Sequence, residues 1–162
     1  PVRWAALLGA LGETATRRVL KRLRCSNACI EETAVLVRET AGQGVSEEKA
    51  PAHADDIHIR QLLGRYGLCT VERLCALCAA LHPQNAPDCA LAAQRARRLE
   101  ADGVCCRVSQ LAVNGRDLMA VGIPAGPALR RVLEALLDGV IRAEYPNEKP
   151  ALLAAAQKIS AS

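Results

Sequence analysis

Between Ser109 and Ile159 the chain is punctuated so regularly that it has few ways to fold other than as helices joined by tight turns. Asn114-Gly115 is a turn dipeptide, since both residues tolerate positive φ, and Asp117 is placed to cap a short helix that Gly122 ends. Gly126-Pro127 follows, the proline standing where a first helical residue needs no N–H. Leu129, Val132, Leu133, Leu136, Leu137, Val140 and Ile141 then recur at steps of three and four, which is one buried helix face. A last helix is expected after the second turn, PNEKP.

The side chains available for a core point the same way. Hydrophobic residues make up 51% of the chain, yet there is no Phe and aromatics are only 2%, so Leu, Ala, Val and Cys must fill the interior. Such residues suit closely packed helices, and runs of β-branched or aromatic residues that favour strands are scarce. The chain is therefore expected to be all-α, with eight or nine short helices.

Upstream, VRWAALLGAL is apolar nearly all round and should form a buried helix, with Trp4 inside and Gly12 at its end. Glu13 to Leu23 is amphipathic, and Ser26-Asn27 caps a further helix over Ile30 to Thr40. Gly42 to Pro51 reads as a loop. Asp55-Asp56 should start a helix that reaches about Arg65 and stops at Gly67, and Thr70 should cap another over Val71 to Leu81. His82-Pro83 breaks the pattern before Asp88 caps a helix ending near Asp102-Gly103.

With a net charge of +4, the chain is mildly basic, a balance that permits nucleic-acid binding without requiring it. No apolar run approaches the ~20 residues of a membrane span, and Trp4 to Leu11 is too short for a signal peptide, so a cytoplasmic location is expected. The eight cysteines accordingly read as reduced core residues. Cys75-x-x-Cys78 with His82 also suggests zinc, but only Cys69 is near enough to complete a tetrahedral set, so no metal site is assigned. Cys25, Cys29 and Cys105-Cys106 are read the same way, and neither His53 nor His58 has an evident nucleophile to serve as base. Beginning at Pro1 within a helical pattern, the chain reads as a piece of something longer.

NGRDLMAVGIPAGP, a helix and then PNEKPALLAAA together resemble the C-terminal tail of bacterial CCA-adding tRNA nucleotidyltransferases, the class that includes bacterial poly(A) polymerases. RWAALLGALG with RRVLKRLRCSNACIEETAVLVRE resembles the helical body of the same family. On this reading residues 1–87 belong to the body and 88–162 to the tail. Gly9 and Ala10 stand where some relatives carry a His-Asp pair, so the ligands for metal-dependent phosphohydrolase chemistry are missing. The resemblance implies a tRNA partner, held while a catalytic head absent from this chain adds CCA or poly(A). It implies Mg²⁺ with CTP and ATP for the parent enzyme and no cofactor in this chain, which is expected to be inactive alone. Asp55-Asp56 are adjacent and cannot reproduce the alternate-residue carboxylates that hold two catalytic metal ions, and they read as a helix cap.

The arginines and one lysine are the candidate contacts: Arg17, Arg18, Lys21 and Arg22, with Arg24, on one helix; Arg95 and Arg98, with Arg97, on another; and Arg116, Arg130 and Arg131 near the C-terminal turns. Cations on amphipathic helices also solvate a face and pair with nearby carboxylates. As a set within this resemblance they point to RNA backbone and shape recognition, with aromatic stacking set aside because Trp4, Tyr66 and Tyr145 are the only aromatic residues. The competing reading is a stand-alone helical protein-interaction module without RNA binding.

Overall fold

A computed structural model of the 162-residue chain describes residues 1–41 and 55–161. The expected loop from Gly42 to Pro51, and His53, lie outside the described residues. Among the described residues all regular structure is helical. The helices are α1 (Val2–Leu8), α2 (Gly12–Arg22), α3 (Asn27–Ala41), α4 (Asp56–Leu81), α5 (Ala86–Ala101), α6 (Gly115–Ala120), α7 (Pro127–Ile141) and α8 (Lys149–Ala161). Short 3₁₀ turns stand at Gly9–Leu11, Pro83–Asn85 and Val108–Gln110.

The chain forms two compact units, Pro1–Asp102 and Gly103–Ser162. Compactness thus divides it one helix later than the sequence pattern does at residue 87, because α5 packs along α4.

In the first unit two small clusters exclude water. Ala5, Leu36, Val37, Leu74 and Leu77 bring α1, α3 and α4 together. Leu8, Leu20 and Ile30, with half-buried Trp4 against them, join α1, α2 and α3. Trp4 therefore lies at the edge of the core, where the sequence pattern had placed it inside. Buried Thr16 donates its hydroxyl to the Leu8 carbonyl (3.2 Å), satisfying an acceptor that the end of α1 leaves open. Within α4, Gly67 takes φ 75 and ψ 165, so two helical arms meet at a residue for which positive φ carries no Cβ penalty. The expected break at Gly67 is present, but Thr70 lies within the second arm and caps nothing. Asp55 does cap the first, accepting from the His58 N–H at 2.8 Å. The fifth helix starts at Ala86 with Pro87 in its first turn, two residues before the expected cap at Asp88.

The second unit closes over Leu118, Leu136, Leu152 and Ala156, all fully buried, with Val113, Ile123 and Val132 beside them. The predicted face of α7 is the observed one: Val132, Leu136 and Ile141 are buried, and Leu129, Leu133, Leu137 and Val140 are packed against the core. The start of α6 differs from expectation. Asn114, with φ −125, is the N-cap, and its side chain accepts from the Arg116 and Asp117 N–H groups. Asp117 is the third helical residue and reaches back to the Asn114 N–H (3.1 Å), completing a capping box.

Three helices end in the same way. At Gly122 (φ 93), Arg24 (φ 55) and Ala143 (φ 57) the chain steps into the left-handed region. In each case the next residue's N–H bonds back five residues: Ile123 to Leu118, Cys25 to Leu20, Glu144 to Gly139. Two of those three positions are not glycine and are strained. After the third, Tyr145 folds back so that its hydroxyl donates to the Ala135 carbonyl (3.1 Å). A Cβ on Gly139 would fall 2.0 Å from that hydroxyl.

Opposite responses are expected at these two kinds of position. Gly139→Ala should destabilise the chain by about 1–3 kcal/mol, because overpacking outweighs the gain in helix propensity. Arg24→Gly should stabilise it by roughly 0.5–1 kcal/mol by relieving the left-handed residue. Urea unfolding followed by circular dichroism measures both, and the same sign for the two would refute the account.

Candidate nucleic-acid interface

The cations of the first unit fall into two kinds. Arg17 is held by two carboxylates: its Nε lies 3.0 Å from Glu13 Oε1, and its guanidinium grips Glu31 across α3 through Nη1 and Nη2 (2.5 and 3.0 Å). These hydrogen bonds, Glu31 first, raise the Arg17 pKa further above its ordinary value. Arg17 is thus a strut between α2 and α3. Arg18, Lys21, Arg22 and Arg24, on the last turns of α2 and just beyond, are exposed and make no ion pair with a described residue. Lys21 and Arg22 also complement the negative end of the α2 dipole.

A similar division holds on α5. Arg95 is exposed and without an ion pair among the described residues, whereas Arg97 pairs with Glu72 of α4 and Arg98 loosely with Asp102 (3.7 Å). Since α2 packs on α3 and α5 on α4, the two basic groups stand on different helix pairs. Exposed Arg3 and Arg65 join the unpaired set, and only their isolation in sequence hid them.

In the second unit, Arg116 and Arg131 are exposed and unpaired among the described residues, while Arg130 bonds Glu134 one turn on (2.8 Å). A Cβ at Gly115 would lie 3.1 Å from Leu129 Cδ2, so the first turns of α6 and α7 touch. That contact sets Arg116 beside the turn carrying Arg130 and Arg131. The Arg130–Glu134 pair is exposed and solvent-screened, and a competing phosphate can displace it.

What holds this corner is the motif read at the outset. Asn147 accepts from the Ala112 N–H (2.8 Å) and donates to the Gln110 carbonyl (2.9 Å), as a neighbouring strand would. Lys149 reaches Asp117 Oδ1 at 2.6 Å, so PNEK ties down both the approach to α6 and its capping box.

No set of three or more His, Cys, Asp or Glu among the described residues is arranged to hold a metal ion. Asp55 is engaged as the cap of α4, and Gly9 and Ala10 form part of a 3₁₀ turn. Cys75, Cys78, Cys89, Cys105 and Cys106 are buried, Cys25 and Cys29 half-buried, and Cys69 alone exposed; all eight are free thiols. Burial pushes Cys75 up to about 11 and Cys89 up to about 12, which keeps both protonated at neutral pH. Tyr66 is also engaged, donating to Glu39 (2.7 Å) and accepting from Arg38 (2.9 Å), a link between α3 and α4 invisible in the sequence.

Residues 2–156 match the family described as tRNA nucleotidyltransferase domain 2. The chain belongs to that family. A 45-residue segment is 53% identical to the CCA-adding enzyme of Levilactobacillus brevis, covering 28% of this chain and 11% of that protein. The match therefore spans only a small part of that relative's length. No solved structure matches. The resemblance read from NGRDLMAVGIPAGP and the opening helices is thus to the right family, and its all-α expectation holds among the described residues. No helix among them is long and apolar enough to cross a membrane.

Asp117 supplies a pH test of the corner. The Lys149 ammonium, then the Asn114 N–H, lowers its pKa below the ordinary 3.8. A depressed carboxylate stabilises the fold above its unfolded pKa, and the contribution is lost as pH falls through the folded value. Asp117→Asn should therefore lower the melting temperature at pH 7 and flatten the acid limb below about pH 4. Identical melting curves for the two proteins at both pH values would show that the pair contributes nothing.

Proposed function

We propose that this chain is the tRNA-holding body and tail portion of a CCA-adding tRNA nucleotidyltransferase, gripping the tRNA elbow while a catalytic head outside residues 1–162 extends the 3′ end. The observation that carries this reading is the family match over nearly the whole chain, joined to exposed cations that no carboxylate among the described residues neutralises: Arg18, Lys21, Arg22 and Arg24 in one unit, Arg116 and Arg131 in the other. Contacts of this kind bind phosphate without reading bases and position a folded RNA by its shape. CTP, ATP and Mg²⁺ belong to the head, and the cytoplasm is where the substrate would be met.

A second reading draws on α1 and the turn after it, where Leu7 is 71% and Leu11 54% exposed. Such an apolar face favours a helical module that binds a protein and no RNA.

Titration with tRNA at several salt concentrations separates the two. On the RNA reading log K falls linearly with log salt, by about 0.7–0.9 per phosphate contact, and Arg18→Glu with Arg22→Glu, or Arg116→Glu with Arg131→Glu, shallows the slope and weakens binding about tenfold or more. Arg17→Ala should instead cost stability with little change in affinity, since its guanidinium is already held by Glu13 and Glu31. Absence of tRNA binding at low salt would sink the RNA reading in favour of the module.

A further inference from the structure

Between α7 and α8, within the second unit, lies an open groove of about 520 Å³. Its walls are low because alanines, Ala154 and Ala155 among them, face it from the helices, and Ile159 adds an apolar patch. Tyr145 supplies an aromatic ring, and Glu144 and Lys158 bring one charge of each sign. The volume is that of a small-ligand site.

The backbone beneath the groove's end is fixed without a ligand. The left-handed step at Ala143 (φ 57) turns the chain out of α7, and the Glu144 N–H bonds back to the Gly139 carbonyl (2.9 Å). Tyr145 is pinned next to it by its bond to Ala135. Glu144 is exposed and makes no ion pair with a described residue.

Glu144 brings to the groove a carboxylate that no described cation neutralises. An ionised carboxylate only accepts hydrogen bonds. Among the RNA bases, guanine alone presents two adjacent donors, N1–H and the N2 amino group, on its Watson–Crick edge. Adenine and cytosine place an acceptor beside their amino group, and uracil flanks its N3–H with two carbonyls, so each would repel the second carboxylate oxygen.

We propose that the α7–α8 groove is a base-reading subsite that receives one unstacked guanine of a bound RNA, its N1–H and N2–H on Glu144 and its ring against Tyr145 and the alanine walls. The proposal rests on the RNA reading above and adds base recognition to it, of the kind by which proteins read splayed-out loop nucleotides.

The test uses the whole chain, a tRNA and two variants. Near phosphates alone, Glu144→Gln removes a repulsion and should tighten binding. A carboxylate that reads guanine gives the opposite sign, and Glu144→Gln is expected to weaken binding about tenfold with the salt slope unchanged. Ala154→Trp, at an exposed position, fills the groove and should weaken it at least as much, with circular dichroism and melting temperature as in the wild type. Unchanged or tighter binding by Glu144→Gln, or unchanged binding by a folded Ala154→Trp, overturns the subsite while leaving the RNA reading intact. Failure of the wild-type chain to bind tRNA removes that reading and the subsite together. Guanosine monophosphate alone binding the groove as tightly as RNA would make it a free-nucleotide site and overturn the proposal.

Discussion

A core made mostly of leucine, alanine, valine and cysteine excludes water only if the helix axes come close, because few large rings are available to fill the space between them. Everything else in this fold follows from that closeness. Alanines and cysteines of α5 let it lie along α4, where Cys75, Cys78, Cys89, Ala92 and Ala96 are buried together with Leu74 and Leu77. In the second unit the same economy appears at Gly139, whose missing side chain is the space the Tyr145 ring occupies. Burial of each such leucine contributes about 1.5–3 kcal/mol, and each polar group that the close approach strands must find a partner nearby. Thr16 on the Leu8 carbonyl is an instance.

Local rules made the helices legible. Glycine and proline stop and start them for reasons internal to a few residues, so Gly67, Gly122 and Gly126-Pro127 sit at breaks as expected. The errors at helix starts are of two or three residues. Asn114 and Asp117 can each cap, and the reciprocal box uses both, which puts the helix start at the earlier residue. Pro87 is better suited to a first turn than to a linker, so α5 begins before Asp88. Contacts between elements were illegible for a different reason. The Arg17–Glu31 and Tyr66–Glu39 bonds depend on how neighbouring helices are rotated, which no residue pattern within either helix specifies.

The division among the cations is likewise tertiary. From the sequence, Arg17 and Arg18 are equivalent members of one basic run, yet one is committed to two carboxylates and the other faces solvent. Ordering Arg17 costs side-chain entropy during folding, and what it makes is a tie between α2 and α3 that leaves its guanidinium engaged. In the second unit the Leu129 side chain lies close over Gly115, which brings together the turns that carry Arg116 and Arg131.

The cysteines carry a consequence for handling the molecule. Five are sealed in the core and two are half-covered, while Cys69, just after the break in α4, stands in solvent. Thiol reagents attack the accessible thiolate first. A dye or spin label can therefore be attached at Cys69 in the unmodified chain, beside the one point where α4 changes direction, and will report on that joint without any cysteine having been engineered in or out.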